Sequence, residues 1–441
     1  MVDIMQQGKE MKGCSAGIIT VGDELLNGDI INTNAAWLSG ALRRAGFTCR
    51  FVYTAGDDKN QILDLLENAW GQCSLIIVTG GLGPTRDDVT RKVLLEFFRD
   101  KPVRNQEVLA HVTDFFQKRG RTVTDVNKRQ ADVPSQAQIL FNELGTAPGM
   151  LIEKEGKVLV ALPGVPYELE HITGKRLLPW LNEHRFCSGQ ILRQHYIRTT
   201  GVGESDLSDQ TLRGLDRVIP ASAGIAFLPH PGGVDIRITE LFPDESGSYQ
   251  AFIDWITGRN ASCTYSRDYR QSLASALVAL LLKNGKTLAV AESCTGGFIS
   301  NQITNTPGSS GCFKGAVVAY DNQAKITQLD VSEVSLAENG AVSHQTALEM
   351  ARGVARRFHS DFGISATGIA GPEGGTPDKP VGTVYIGFWA ADGLVHFACR
   401  YCFSSLREIN KERSTSASLE IVRRHLTEIR DLPYHPEVFY P

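Results

Sequence analysis

Ser74-Leu75-Ile76-Ile77-Val78-Thr79 runs without a break into Gly80-Gly81-Leu82-Gly83-Pro84-Thr85-Arg86-Asp87-Asp88. An unbroken aliphatic run ending in a glycine turn reads as a strand covered on both faces, with a loop at its carboxyl end where backbone can approach a ligand closely. The same order recurs outward from this stretch. Strand-like runs at Ala16 to Thr20, Thr48 to Tyr53 and Val158 to Leu162 alternate with helical ones at Ala35 to Arg44, Lys59 to Gly71 and Glu107 to Lys118. This alternation predicts an α/β domain, a mostly parallel sheet between two helical layers. Ligands collect at the carboxyl ends of such strands, which here carry Gly22-Asp23-Glu24, Gly56-Asp57-Asp58 and the Gly80 to Asp88 loop.

At 441 residues the chain is too long for one ordinary core, so two or three domains are expected. The formal net charge is −4 and no stripe of Lys or Arg runs along the sequence. That pattern argues against an electrostatic grip on nucleic acid or an anionic membrane and favours small-molecule chemistry. Met1 to Gly13 lacks the apolar stretch of a secretory signal, and the longest apolar run, Leu273 to Leu282, is a buried helix rather than a membrane span. A cytoplasmic protein is expected. Nine cysteines, an odd number, argue against a disulfide framework. Cys399 and Cys402 have redox or zinc spacing but sit in a strand-like segment with no second pair, which favours a core strand.

A smaller α+β module is expected over residues 190–262: a strand from Leu192 to Thr199, a helix from Glu204 to Leu212, a hairpin from Gly224 to Glu240 and a helix from Tyr249 to Thr257. Its His230 reads as a solvated turn residue, and the module as structural or orienting. From residue 268 to 432 a second α/β unit follows. Its strands are Thr287 to Glu292, Gly315 to Ala319, Phe362 to Thr367, Thr383 to Trp389 and Leu394 to Phe403, and a charged amphipathic helix, Leu406 to Leu426, closes the chain. This unit holds the richest chemistry: Ala291-Glu292-Ser293-Cys294-Thr295-Gly296-Gly297, Pro307-Gly308-Ser309-Ser310, Tyr320, Lys325 and the stretch Thr367 to Gly382.

Taken in order, these strings resemble the CinA family of competence/damage-inducible proteins, which join a molybdopterin-binding-like domain to a nicotinamide-nucleotide amidase domain. Val21 to Leu26, Asn32-Thr33-Asn34, Thr79 to Thr85, Asp87-Asp88, Gly145 to Gly149 and Leu162 to Pro166 carry the resemblance at the amino end. The C-terminal strings above and Gly340 to Ser343 carry it at the other. The resemblance implies a three-layer α/β/α domain over 15–178, shared with molybdenum-cofactor assembly proteins, and a three-layer α/β/α amidase domain over 268–432. It implies hydrolysis of nicotinamide mononucleotide to nicotinate mononucleotide and ammonia, with Ser310 as nucleophile and Lys325 and Tyr320 as partners, and no cofactor for that reaction. For the N-terminal domain it implies ADP-ribose hydrolysis stimulated by a divalent metal and potassium, and for the whole a homodimer. Residues 403–407 depart from the family by lacking its Gly-Asp-Arg string.

A Ser–Lys pair suits amide hydrolysis because a neutral lysine can take the serine proton and return it to the departing ammonia. Lys325 then needs a pKa well below its ordinary value, which burial would supply; the alternative is a solvated helix lysine. Ser310 sits in a turn, the alternative reading being a helix cap, and Cys294, at the start of a helix, is the rival nucleophile. Thr295, Gly296 and Gly297 would offer backbone N–H groups to the substrate phosphate, with Gly371, Gly374, Gly375, Thr376 and Lys379 as a second set, and Ser293, Cys294, Thr367 and Gly368 complete the expected substrate site. In the N-terminal domain Gly22, Glu24, Asn32, Asn34, Gly80, Gly81, Gly83 and Thr85 line the expected substrate site. Asp57, Asp87 and Asp88 are its metal candidates, or else caps of loops and helices. A non-catalytic pterin- or nucleotide-binding protein acting through partners is the contrasting reading.

Overall fold

The computed structural model describes residues 14–85, 88–184, 186, 193–207, 209, 212–241, 244, 246–403 and 406–440. They form two compact units, residues 1–192 and 193–441.

In the first unit, strands β1 (Ser15–Val21), β2 (Thr48–Ala55), β3 (Leu75–Thr79), β4 (Gln138–Leu140), β5 (Gly149–Lys154) and β6 (Lys157–Leu162) form one sheet in the order β2-β1-β3-β6-β5-β4. The pairs β2/β1, β1/β3 and β3/β6 are parallel, while β4 and β5 return antiparallel. Every residue of β3 is buried, as its aliphatic run requires. Its side chains alternate between layers: Ile76 and Val78 pack with Ile62 and Leu66, whereas Leu75 and Ile77 pack with Leu38 and Leu42. Helix α1 (Thr33–Arg44) starts where Asn32 caps Ala35 N–H, and α2 (Lys59–Gln72) where Asp58 caps Gln61 N–H. Parallel connections leave the β1, β2, β3 and β6 carboxyl ends facing one way, and the candidate loops lie there.

The second unit holds two sheets. Strands β7 (Gln194–Thr199), β8 (Ala223–His230), β9 (Gly233–Glu240) and β10 (Thr264–Ser266) are arranged β8-β9-β7-β10, with α3 (Ser248–Arg259) packed on Ile197, Ile236 and Ile238. Of the helix expected at Glu204 to Leu212, Glu204–Asp206 is helical, and residues 208, 210 and 211 lie outside the described residues, as does Leu192. His230 is not solvated as expected: it is half-buried, its Nδ1 accepts from Gly232 N–H at 3.2 Å, and its Nε2 lies 3.3 Å from Asp235 Oδ1. The hairpin tip is anchored, since the Tyr434 hydroxyl donates to the Gly232 carbonyl at 2.6 Å.

The other sheet runs β12-β11-β13-β14-β15-β16, from β11 (Leu288–Glu292), β12 (Phe313–Val318), β13 (Phe362–Gly368), β14 (Thr383–Ala390), β15 (His396–Cys402) and β16 (Glu437–Phe439). Strands β12, β11 and β13 are parallel; the remaining pairs are antiparallel. Leu288 and Val290 face Leu277, Leu281 and Ile299 of one layer, and Ala289 and Ala291 face Met350 and Val354 of the other. Gly387 is required by this packing, because a Cβ there would stand 2.3 Å from Ala347 O of the helix His344–Phe358. The α/β layering expected for both ends is present.

Two readings change. The last long helix, α4 (Arg407–Leu426), leaves Arg407 and Glu408 exposed but turns other charges inward: Glu420 is fully buried and takes Arg423 and Arg424 at 2.7 Å each. It does not close the chain either, since β16 follows and pairs with β15. Cys399 is buried in β15 and Cys402 is exposed, so no thiol pair forms; seven described cysteines are free, and Cys14 is disulfide-bonded. Among the described residues no helix is long and apolar enough to cross a membrane.

Candidate active site

In the second unit the reactive side chains gather at the carboxyl end of the parallel strands. Strand β11 ends at Glu292, whose main-chain carbonyl accepts from Ala319 N–H at 2.8 Å, and Ser293 N–H donates to Ala366 O at 2.9 Å. Ser293 therefore sits between the ends of β12 and β13. Asp321 caps the helix Asn322–Leu329, which turns Lys325 back toward the sheet. The Lys325 side chain is 1% exposed, and its ammonium reaches the carbonyls of Ala319 at 3.0 Å, Tyr320 at 3.4 Å and Asp321 at 3.4 Å. Burial lowers its pKa from the ordinary lysine value, with Asp321 and Cys294 opposing. A buried, orientated amine with a depressed pKa is what a general base requires.

Ser310 is elsewhere. It lies in the turn Ser309–Gly311 before β12, level with the start of β11, where Leu288 N–H donates to Cys312 O at 2.9 Å. Lys325 follows the far end of β12. Six residues of strand separate the two, about 20 Å at ~3.3 Å per residue. The implied Ser310–Lys325 pair is thus not brought together, and Ser293 supplies a hydroxyl at the lysine's end of the sheet.

Cys294, the rival, is buried, and burial pushes its thiol up to about 12, against the thiolate a nucleophile needs. Tyr320 is 63% exposed. Its carbonyl helps hold Lys325, whereas its phenol oxygen accepts from Arg407 at 3.0 Å. Arg407 also donates to Gly371 O at 2.7 Å, so it ties the Tyr320 and Gly371 loops together. The sequence reading missed Arg407; the available signal was the arginine at the end of the departing segment 403–407, of which Ser404 and Ser405 lie outside the described residues.

The glycine loop after Ser293 is also committed differently from expectation. The amides at the start of the following helix, Phe298–Thr304, go to the chain's own carboxylate: Glu292 Oε2 accepts from Gly297 N–H at 2.9 Å and Ile299 N–H at 3.1 Å, and Oε1 accepts from Ser300 N–H at 2.9 Å and the Ser300 hydroxyl. Gly296 N–H donates to Ser293 O at 3.1 Å and Phe298 N–H to Thr295 O at 3.2 Å. These amides are not open to a phosphate. In the second set, Thr367 donates to Ala341 O at 2.7 Å and Gly368 abuts Thr383 O. Gly374 and Gly375 form the turn before Thr376, whose hydroxyl accepts from Lys379 N–H at 3.1 Å, and the Lys379 ammonium is held by Asn339 O at 3.2 Å.

The first unit contains a cavity of about 710 Å³ at its strand ends, lined by Gly22, Glu24, Asp57, Gly80, Thr85 and Asp88, with Gly81 and Gly83 in the same loop. Gly80 has φ +104°, and a Cβ there would stand 2.1 Å from Val21 O. Asn32 and Asn34 line a smaller adjoining recess, where Asn32 donates to Thr20 Oγ1 at 2.9 Å and Asn34 to Gly164 O at 2.7 Å. Two further cavity residues escaped the sequence reading: Gln130, buried with its Oε1 unpartnered, and Glu168, buried and bonded to Asn142 Nδ2 at 2.7 Å.

As metal ligands the described acids fit poorly. Asp88 spends Oδ1 on Gly83 N–H at 2.7 Å and Oδ2 on Thr85 N–H at 2.7 Å and the Thr85 hydroxyl at 2.6 Å. Asp57 Oδ2 accepts from Asp23 N–H at 3.2 Å. Asp87 lies outside the described residues. Among the described residues no three His, Cys, Asp or Glu side chains converge as a cation cage.

Residues 270–426 match the family described as CinA C-terminal domain, and residues 17–183 that described as probable molybdopterin binding domain. A CinA-like protein of Cytophaga hutchinsonii is 39% identical over 418 residues, covering 94% of this chain and 99% of its own. A CinA-like protein of Dictyoglomus turgidum is 38% identical over 417 residues, covering 93% and 99%. The solved CinA structure from Thermoplasma acidophilum is 31% identical and covers 39% of this chain and 98% of its own, with a TM-score of 0.35. Aligned over nearly its whole length to CinA-like proteins, with both domains matched in order, this chain belongs to the CinA family.

Proposed function

We propose that the C-terminal part of the second unit hydrolyses nicotinamide mononucleotide to nicotinate mononucleotide and ammonia, with Ser293 as nucleophile and Lys325 as general base, and without a cofactor. The substrate comes from the family resemblance. The assignment of residues rests on one observation: a lysine 1% exposed, its pKa lowered by burial, at the sheet end where Ser293 follows β11. Neutral Lys325 takes the proton from Ser293 Oγ as Oγ bonds to the carboxamide carbon. It returns that proton to nitrogen as the C–N bond breaks, releasing ammonia and leaving an ester. Water, deprotonated by the same amine, cleaves the ester and restores the serine hydroxyl. The main-chain carbonyl of Tyr320 orients Lys325 in this scheme, and Arg407 fixes the loops around it.

For the N-terminal cavity we propose a nucleoside diphosphate ligand, ADP-ribose, whose pyrophosphate would lie against the Gly80 to Thr85 loop. The cavity of about 710 Å³ supports a ligand of that size. A divalent metal and potassium enter this proposal as conditions of hydrolysis only, since the described carboxylates form no ready-made cage. We propose a homodimer as the assembled form. The test of the main reading is to incubate the whole chain with nicotinamide mononucleotide and follow ammonia and nicotinate mononucleotide together. Equimolar appearance of both supports the amidase, and binding without turnover would leave a nucleotide-binding protein.

A further inference from the structure

Several of the amides expected to hold the substrate phosphate are occupied, which favours other donors for that group. Glu292 consumes the N–H groups of Gly297, Ile299 and Ser300, and the Lys379 ammonium is held by Asn339 O. Two other cations stand at this end of the sheet, four residues apart on α4 and so on one helical face: Arg407 and Lys411. Arg407 is fixed by its bonds to Tyr320 and Gly371. The Lys411 ammonium stands 4.0 Å from where a Cβ of Gly296 would be and 5.9 Å from the Phe298 ring centroid. Among the described residues it makes no ion pair and no side-chain hydrogen bond. Gly296, three residues after Ser293, has φ +59° and leaves the space under that ammonium open.

We propose that Lys411, beside Arg407, forms the anion subsite that receives the phosphate monoester of the nucleotide substrate. The inference rests on the amidase reading for its substrate but on the packing of α4 against the Ser293 to Phe298 loop for its location. An ammonium on a flexible stem suits a terminal phosphate, which it meets as a point charge. The neighbouring guanidinium, already held at two points, adds field without a change of shape. The subsite explains why a site built for a small neutral carboxamide keeps two cations beside its loop. It also makes the enzyme selective for the nucleotide over the nucleoside.

The test is calorimetric binding of nicotinate mononucleotide and nicotinate riboside to the full chain as wild type, Lys411→Met and Lys411→Arg, with ammonia release from nicotinamide mononucleotide measured in parallel. The expected result is a preference for the mononucleotide that Lys411→Met reduces about 10- to 100-fold and Lys411→Arg largely restores, as for loss of one charge-assisted contact. An unchanged preference in Lys411→Met, or wild type binding both ligands equally or neither, overturns the subsite. Wild-type binding with the expected preference but without ammonia release keeps the subsite and removes the amidase reading.

Discussion

Glu292→Gln exchanges one oxygen for an NH2 group at the point where the Ser293 loop is tied down. The carboxylate accepts three main-chain N–H groups at 2.9, 3.1 and 2.9 Å and one hydroxyl, and it is fully buried. Glutamine can keep Gly297 and Ile299 on its oxygen, and the Ser300 hydroxyl can rotate to accept from the new NH2. The Ser300 N–H is then left facing a donor. The bond lost is one to a charged acceptor, worth about 1.5–3 kcal/mol, and the two retained amide bonds each weaken by about 1 kcal/mol as the charge disappears. Easier burial of a neutral group offsets part of this, leaving a net destabilisation of about 2 kcal/mol. For a unit of this size that lowers Tm by about 4–8 °C. Because the loop carries Ser293, a displacement of even ~1 Å should lower amidase kcat about 100-fold with KM little changed. Differential scanning calorimetry and ammonia release measure the two effects. A variant with wild-type Tm and wild-type kcat would refute the view that this carboxylate organises the site.

Lys325→Met should abolish ammonia release yet raise stability at neutral pH. The folded state depresses the lysine pKa by burial, so the unfolded chain binds the proton more tightly, and wild-type stability rises as pH climbs toward the ordinary lysine range. The gain from methionine should shrink over that same range, and urea titrations showing a pH-independent difference would contradict it. Glu420→Ala should cost about 3–5 kcal/mol by leaving Arg423 and Arg424 buried without their partner; a loss below about 1 kcal/mol in denaturant melts would count against the buried triad. Gly80→Ala forces a Cβ to 2.1 Å from Val21 O. It should remove ADP-ribose binding in calorimetry, and unchanged affinity would show that the loop is not part of that site.

Much of the architecture was readable because local patterns agree with the fold. The aliphatic run of β3 is buried throughout, Asp58 caps α2, and the glycine loop that follows β3 lines the cavity. The separation of Ser310 from Lys325 was readable in principle: one precedes and the other follows one and the same strand, so a strand's length had to lie between them. What pointed to Ser310 was the resemblance together with an exposed hydroxyl in a turn, and neither takes account of strand direction. Two other features depend on partners distant in sequence or hidden in packing. The helix start at Phe298 looked open to a ligand anion because its anion, Glu292, is the last residue of the preceding strand. That part of the charge of α4 is buried was not readable, because Glu420 pairs within three and four residues, a spacing shared by surface and buried pairs alike. Arg407 gained its place only once the Tyr320 and Gly371 loops were folded against it.

The most direct test of the account compares ammonia release from nicotinamide mononucleotide by wild type, Ser293→Ala and Ser310→Ala, each checked for its native melting transition. The account predicts no turnover above background for Ser293→Ala and turnover within a few-fold of wild type for Ser310→Ala. Full activity in Ser293→Ala with loss in Ser310→Ala would contradict it.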